Sequence, residues 1–239
     1  MTSRAEEIAQ NLAAVQTRIR RACEAAGRNP VSVRLLAVSK TYPPEDVTAC
    51  ADAGQLLFGE NRVQEAIAKM PLCPGRLQWH LIGHLQSNKA AHAVESFDYI
   101  HSVDSLALLQ RLDRLAVERG RRPTVLLEVN VSGEKSKSGM PPDQLAATLA
   151  AVPGLQALTV AGLMTVPPIA ADPEEARPYF RELRRLRDDA QAATDLALPE
   201  LSMGMTHDFE VAIAEGATFV RIGTAIFGPR PPMVPRLES

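Results

Sequence analysis

At 239 residues the chain suits one large domain or two small ones, and a (β/α)₈ barrel of about 250 residues is within reach. Hydrophobic residues at 46% and charged residues at 23% describe an ordinary globular protein, and a net charge of −2 speaks against nucleic acid as the main partner. Three scattered cysteines exclude a disulfide framework or a cysteine zinc site. No segment approaches the ~18 apolar residues of a membrane span, and the N-terminus lacks the apolar stretch of a signal peptide, so a cytoplasmic protein is expected. Aromatics make up only 4%, so the core must come from Leu, Val, Ile and Ala.

The first predicted element is a helix. Ile8, Leu12, Val15, Ile19 and Cys23 recur at spacings of three and four, and Gly27 with Pro30 ends the pattern. Strands are predicted at Arg34–Ser39, Leu56–Gly59, Leu77–Gly83, Tyr99–Val103, Thr124–Val131, Leu158–Met164, Leu201–Met203 and Phe219–Ile222. Several are continuously apolar, as parallel strands covered by helices should be. Between them run helical patterns. Leu106, Leu109, Leu112 and Leu115 line one face, with Asp104 the expected N-cap. Ala176, Phe180, Leu183, Leu186 and Ala190 line another, opened by Asp172-Pro173-Glu174-Glu175. The basic runs Arg119 to Arg122 and Arg184 to Arg187 read as solvated helix faces.

Eight strands alternating with helices imply an α/β fold, and the count favours a closed barrel with an extra N-terminal helix over a doubly wound open sheet. No linker interrupts the chain. One domain over 1–239 is expected, with 1–30 forming the N-terminal helix and linker and 228–239 an irregular tail.

Barrel enzymes build their sites at the C-terminal ends of the strands, so the polar residues following each apolar run carry the chemistry. Lys40 follows the first strand. Apolar walls there would favour its neutral, nucleophilic amine, the form that attacks an aldehyde; a surface lysine at a strand-to-loop transition is the alternative. Barrels often seat a phosphate at the loops after strands seven and eight. Thr206, Gly223 and Thr224 stand in those loops, although Thr206 could equally be a plain N-cap opening a helix near His207 and Asp208, and Gly223 a turn glycine. Arg221 lies inside an apolar strand and needs an acceptor, either a ligand's ring nitrogen or an internal carboxylate such as Glu128. His80 alternates with Trp79 and reads first as a hydrogen-bonded core histidine. No metal-binding spacing appears among the five histidines.

From about Leu35 to Phe227 the chain closely resembles the pyridoxal phosphate homeostasis protein family. The resemblance rests on Val38-Ser39-Lys40-Thr41, Phe58-Gly59-Glu60-Asn61, the run from Trp79 to Lys89, Ser136-Lys137-Ser138-Gly139, Met203-Gly204-Met205-Thr206 and the run from Val220 to Gly228. It implies a barrel similar to the alanine racemase N-terminal domain, with pyridoxal 5′-phosphate (PLP) at its mouth. Lys40 then matches the Schiff-base lysine and Arg221 the arginine facing the pyridine nitrogen. Gly223 and Thr224 match phosphate contacts, Ser202 and Thr206 add hydroxyls, and Asn61 and His80 line the cofactor's ring. His84 stands where many bacterial members carry proline, and His207-Asp208-Phe209 replaces a small-acidic-Met run.

A cationic partner such as Arg221 keeps the pyridine nitrogen unprotonated and weakens the ring as an electron sink. Racemases of this fold also take a base from a second domain, which this sequence does not continue into. The expectation is therefore a PLP carrier without substantial turnover, with no catalytic residue assigned. It would be monomeric and make at most transient contacts with PLP-dependent apo-enzymes, to which Lys137 could pass the cofactor. A PLP-dependent racemase is the alternative, and a phosphosugar aldolase with a Schiff-base lysine is a third reading that sets the resemblance aside.

Overall fold

Ser3 starts the fold. Its hydroxyl accepts the amide of Glu6 while the Glu6 carboxylate accepts the Ser3 amide, a reciprocal cap that opens helix α1 (Arg4–Ala25). The five apolar residues read from the sequence are the ones α1 buries. The computed structural model describes residues 2–134 and 136–229, so the predicted tail lies outside the described residues from 230 onward.

Strand and helix then alternate. After β1 (Arg34–Val38) come α2 (Pro44–Asp52), β2 (Leu57–Glu60), α3 (Val63–Lys69), β3 (Gln78–Leu81) and α4 (Ala90–Ser96). Next are β4 (Tyr99–Val103), α5 (Leu106–Arg119), β5 (Thr124–Glu128), α6 (Leu145–Ala150), β6 (Thr159–Met164) and α7 (Arg177–Ala193). The last are β7 (Glu200–Met205), α8 (Phe209–Ala214), β8 (Phe219–Ile222) and the single turn α9 (Thr224–Phe227). The strands pair in sequence order, all parallel, and β8 closes on β1 with Arg34 opposite Phe219 and Leu36 opposite Arg221. The fold is a closed (β/α)₈ barrel.

Its chemistry is layered. The main apolar core lies between the outer faces of the strands and the helices, where Phe58, Leu81, Leu109, Phe180, Phe209 and Phe227 are fully buried. The barrel axis is largely polar. At the strand starts Arg34 pairs with Glu200 and stacks over Phe219, 3.8 Å from its ring centre. One apolar cluster, Leu126, Ala161 and Met164, fills the side nearest β5 and β6. Gly162 is obligatory there, because a Cβ would stand 1.9 Å from the Glu200 carbonyl oxygen across the β6–β7 pair.

The turn α9 is too short to cover β8 and β1, and α1 packs against α2, α8 and α9 in its place. Arg4 clamps Asp46 of α2 and donates to the Phe227 carbonyl, Asn11 donates to that of Ile226, and Arg18 pairs with Glu210 of α8.

Three local expectations change. Ser105, not Asp104, caps α5, because its hydroxyl reaches the Leu108 amide while Asp104 pairs with His84 at 3.2 Å. Thr206 does not cap α8. Asp208 occupies that position, and its side chain takes the Met205 amide. The Arg184 to Arg187 run is only partly solvated, since Arg184 joins Arg177 and Arg181 around the buried carboxylate of Glu215.

Candidate functional site

A cavity of about 320 Å³ opens at the barrel mouth, where the C-terminal ends of β1, β2, β3, β6, β7 and β8 meet. Of the residues read from the sequence, Lys40, Asn61, Thr206, Arg221, Gly223 and Thr224 line it. Apolar walls come from Val38, Ile82, Val166 and Ile169.

Lys40 follows the last pair of β1 and is half-buried. In the same cavity the hydroxyls of Thr224 and Thr206 lie 3.4 Å apart, bringing the loops after β8 and β7 together. Gly223 lies close against β1, where a Cβ would stand 3.1 Å from the Val38 carbonyl oxygen, a tight contact. Gly223 and Thr224 open α9, and the first amides of a helical turn have no intrahelical acceptor.

Arg221 forms the floor. Its side chain is buried, yet it lines the cavity from below. Nη1 donates to Ser202 Oγ at 2.7 Å and Nη2 to the Thr165 carbonyl at 2.8 Å, which fixes the guanidinium plane and leaves further N–H donors for the cavity. Burial pulls its pKa down to about 10, against the pull of Asp208 and Glu128, so it remains a cation at neutral pH. The internal carboxylate weighed from sequence is close enough to act on Arg221 electrostatically. Its own pKa is pushed up to about 7, mainly by burial and then by Asp104, with Arg221 opposing.

Two expected contacts lie deeper. Neither Ser202 nor His80 lines the cavity; both are fully buried on the barrel axis. His80 Nδ1 is 2.9 Å from His101 Nε2, and His101 Nδ1 is 2.9 Å from Ser202 Oγ, so a chain His80–His101–Ser202–Arg221 runs up the axis to the cavity floor. Tyr99 stacks flat on His80 at 4.4 Å. Burial holds both imidazoles neutral: His80 falls to about 3, and His101 is also far below the ordinary range, where His80 and Arg221 add to the effect. His80 is therefore the core histidine of the plain reading, and its reach to the mouth is indirect.

Other residues of the mouth were not singled out from sequence. His101, below the mouth, carried a usable signal, since it stands two residues after Tyr99, the register partner of His80, and so on the same face of β4. Ile169 carried none. It sits in the loop after β6, is 88% exposed, and reaches the rim only through that loop's path. His207 Nε2 lies 3.0 Å from the Ala171 carbonyl and ties this loop to the turn after β7. Lys137 lies in the loop after β5, half-buried and outside the cavity lining. Among the described residues no cluster of three or more His, Cys, Asp or Glu could hold a metal ion, and no helix is long and apolar enough to cross a membrane.

Residues 10–231 match the family model described as alanine racemase, N-terminal domain. A pyridoxal phosphate homeostasis protein of Aquifex aeolicus is 46% identical over 222 residues, covering 92% of this chain and 97% of that protein. The structure of PipY from Synechococcus elongatus with PLP bound superposes with a TM-score of 0.81 at 43% identity, over 92% of this chain and all of that one. Alanine racemase of Clostridium difficile, at 14% identity and a TM-score of 0.75 over 93% of this chain and 57% of its own, shares the fold alone. With near-complete coverage at this identity, the chain belongs to the pyridoxal phosphate homeostasis protein family, built on the alanine racemase N-terminal barrel.

Proposed function

We propose that the chain binds PLP at the barrel mouth through Lys40, and that it holds and releases the cofactor instead of turning over a substrate. The observation that carries this reading is the convergence of a lysine, a pinned arginine and a pair of threonine hydroxyls on one cavity. When bound, PLP supplies an aldehyde open to a primary amine, a ring nitrogen and a phosphate. Lys40 offers the amine. Thr206, Thr224 and the amides opening α9 offer donors to the phosphate, with Gly223 allowing the chain to come close. Asn61 lines the wall between β2 and β3.

Arg221 supports the carrier reading without separating it from a racemase, whose ring nitrogen in this fold meets the same kind of cation. A guanidinium has donors and no acceptor, so the ring nitrogen it faces is given a hydrogen bond and kept free of a proton. That arrangement limits carbanion stabilisation. Besides Lys40 and Arg221 the cavity's titratable groups are His207 and Asp208, and both are engaged locally, His207 with the Ala171 carbonyl and Asp208 with the Met205 amide. Release to PLP-dependent apo-enzymes, a monomeric state and a cytoplasmic setting complete the proposal; the free cysteines Cys23, Cys50 and Cys73 support the last.

The test follows α-proton exchange in deuterated water with the PLP-loaded protein across the common amino acids, alongside transfer of PLP to an apo-enzyme. Transfer without exchange in the typical enzyme range of ~1–10³ s⁻¹ is expected. Enzyme-like exchange with even one amino acid, lost in Lys40→Ala, would make the chain a racemase-like enzyme.

A further inference from the structure

Behind the lysine of the cavity lies a buried ion cluster that the functional reading does not use. Lys69, the last residue of α3, is only 6% exposed. Its ammonium donates to the Ser39 carbonyl at 2.8 Å, to Glu60 Oε1 at 2.7 Å and to Glu65 Oε1 at 3.3 Å. The same two carboxylate oxygens hold the backbone around Lys40. Ser39 Oγ donates to Glu60 Oε1 at 2.7 Å, and the Thr41 amide donates to Glu65 Oε1 at 2.6 Å. The residues before and after Lys40 are thus tied to one cluster.

The backbone at this point needs holding. Thr41 has φ of 70°, the only positive φ outside glycine among the described residues. A β-branched residue keeps that conformation only where its surroundings impose it. Stability alone is a poor account of the cluster, because a buried ion pair is often no better than apolar side chains of similar volume. Burial also leaves Glu60 Oε2 without a hydrogen-bond partner among the described residues, a cost that packing would avoid. The feature that an apolar replacement could not reproduce is the grip on Ser39 and Thr41.

We propose that Lys69, with Glu60 and Glu65, is a positioning residue that fixes the backbone on both sides of Lys40 and so sets where the Lys40 amine stands in the mouth cavity. The proposal rests on Lys40 being the PLP-linked lysine. A long side chain on a free loop would sample many positions; one on a pinned backbone starts near the attacking geometry.

Two variants of the full chain separate positioning from folding. Lys69→Met/Glu60→Gln removes the ammonium together with its buried counter-charge, and Glu65→Ala removes the Thr41 acceptor from a half-buried site. Each is compared with wild type in three measurements: thermal unfolding, hydrogen exchange at the Thr41 amide without PLP, and the rate at which PLP becomes borohydride-fixed to Lys40, mapped by peptide mass. Thr41 exchange at least tenfold faster and fixation at least tenfold slower are expected, with Glu65→Gln, which keeps an acceptor, within about twofold of wild type. Should the double variant fail to fold, Glu65→Ala decides alone. Unchanged Thr41 protection, or wild-type fixation despite a released amide, overturns the proposal. An adduct on another residue of the wild-type chain overturns the reading of Lys40 itself, whatever the exchange shows.

Discussion

Arg221 and His101 share one oxygen: Ser202 Oγ accepts from the guanidinium at 2.7 Å and lies 2.9 Å from the imidazole Nδ1. The cation under the cavity is therefore backed by a neutral chain and not by a carboxylate. A direct carboxylate partner would cancel much of its charge; a serine fixes its plane and leaves the charge to act upward.

That chain should make stability fall in mild acid. His80 and His101 stay neutral in the native barrel, His80 to about pH 3, while the unfolded chain takes up protons near pH 6.5. Both folded values are depressed, so the contribution of each is complete above pH 6.5 and shrinks as pH drops toward 3. Each pH unit within that window costs up to about 1.4 kcal/mol per histidine. Urea unfolding at pH 7 and pH 5 should show the decline, and His80→Gln/His101→Gln should flatten it. An equal slope in that variant would assign the acid sensitivity elsewhere.

Glu128 should act with the opposite sign. Its carboxyl is raised from 4.5 to about 7, so the stability present below pH 4.5 is lost as pH rises through 7. Glu128→Gln is expected to raise stability by up to about 3 kcal/mol at pH 8 and to change little at pH 4.5. Denaturant midpoints at the two pH values test this, and a variant less stable at pH 8 contradicts it.

For the phosphate wall, Thr206→Ala/Thr224→Ala should weaken PLP binding at least tenfold while leaving pyridoxal nearly unaffected. Hydrogen bonds to a charged group contribute roughly 1.5–3 kcal/mol each, and only PLP carries the anion. Equal losses for both ligands in a spectroscopic titration would place the phosphate elsewhere.

Lys40→Ala should abolish the borohydride-stable adduct and leave the melting temperature within a few degrees, because a half-buried mouth lysine adds little to the core. Mass spectrometry of the intact protein reads this directly. A persisting adduct at the wild-type level would transfer the role to another amine.

The pattern of what could be read from sequence follows from where each signal resides. Tyr99–Val103 and Phe219–Ile222 match the structure residue for residue, each a short buried segment rich in β-branched and aromatic residues. Leu77–Gly83 proved too long: β3 is Gln78–Leu81, and beyond it Ile82 turns to line the mouth. The mouth lysine and the Arg-x-Gly-Thr segment were legible through the family's motifs, since each residue alone had an ordinary alternative. Ile169 and the Lys69 cluster were not. The first depends on a loop's path, and the second joins a strand-end carboxylate, Glu60, to Glu65 and Lys69, which look like ordinary helix surface until folding buries Lys69.

Helix α1 has a consequence for how the protein is made. It is made before every other described element, yet its seat is built from α2, α8 and α9, and two of its ties reach the carbonyls of Ile226 and Phe227. Its apolar stripe must wait for seven further strands before β8 closes the ring. Contacts of such sequence separation slow folding and leave the nascent stripe open to chaperones and to other chains. The helix that completes the barrel is thus made before the elements that seat it and is among the last to dock.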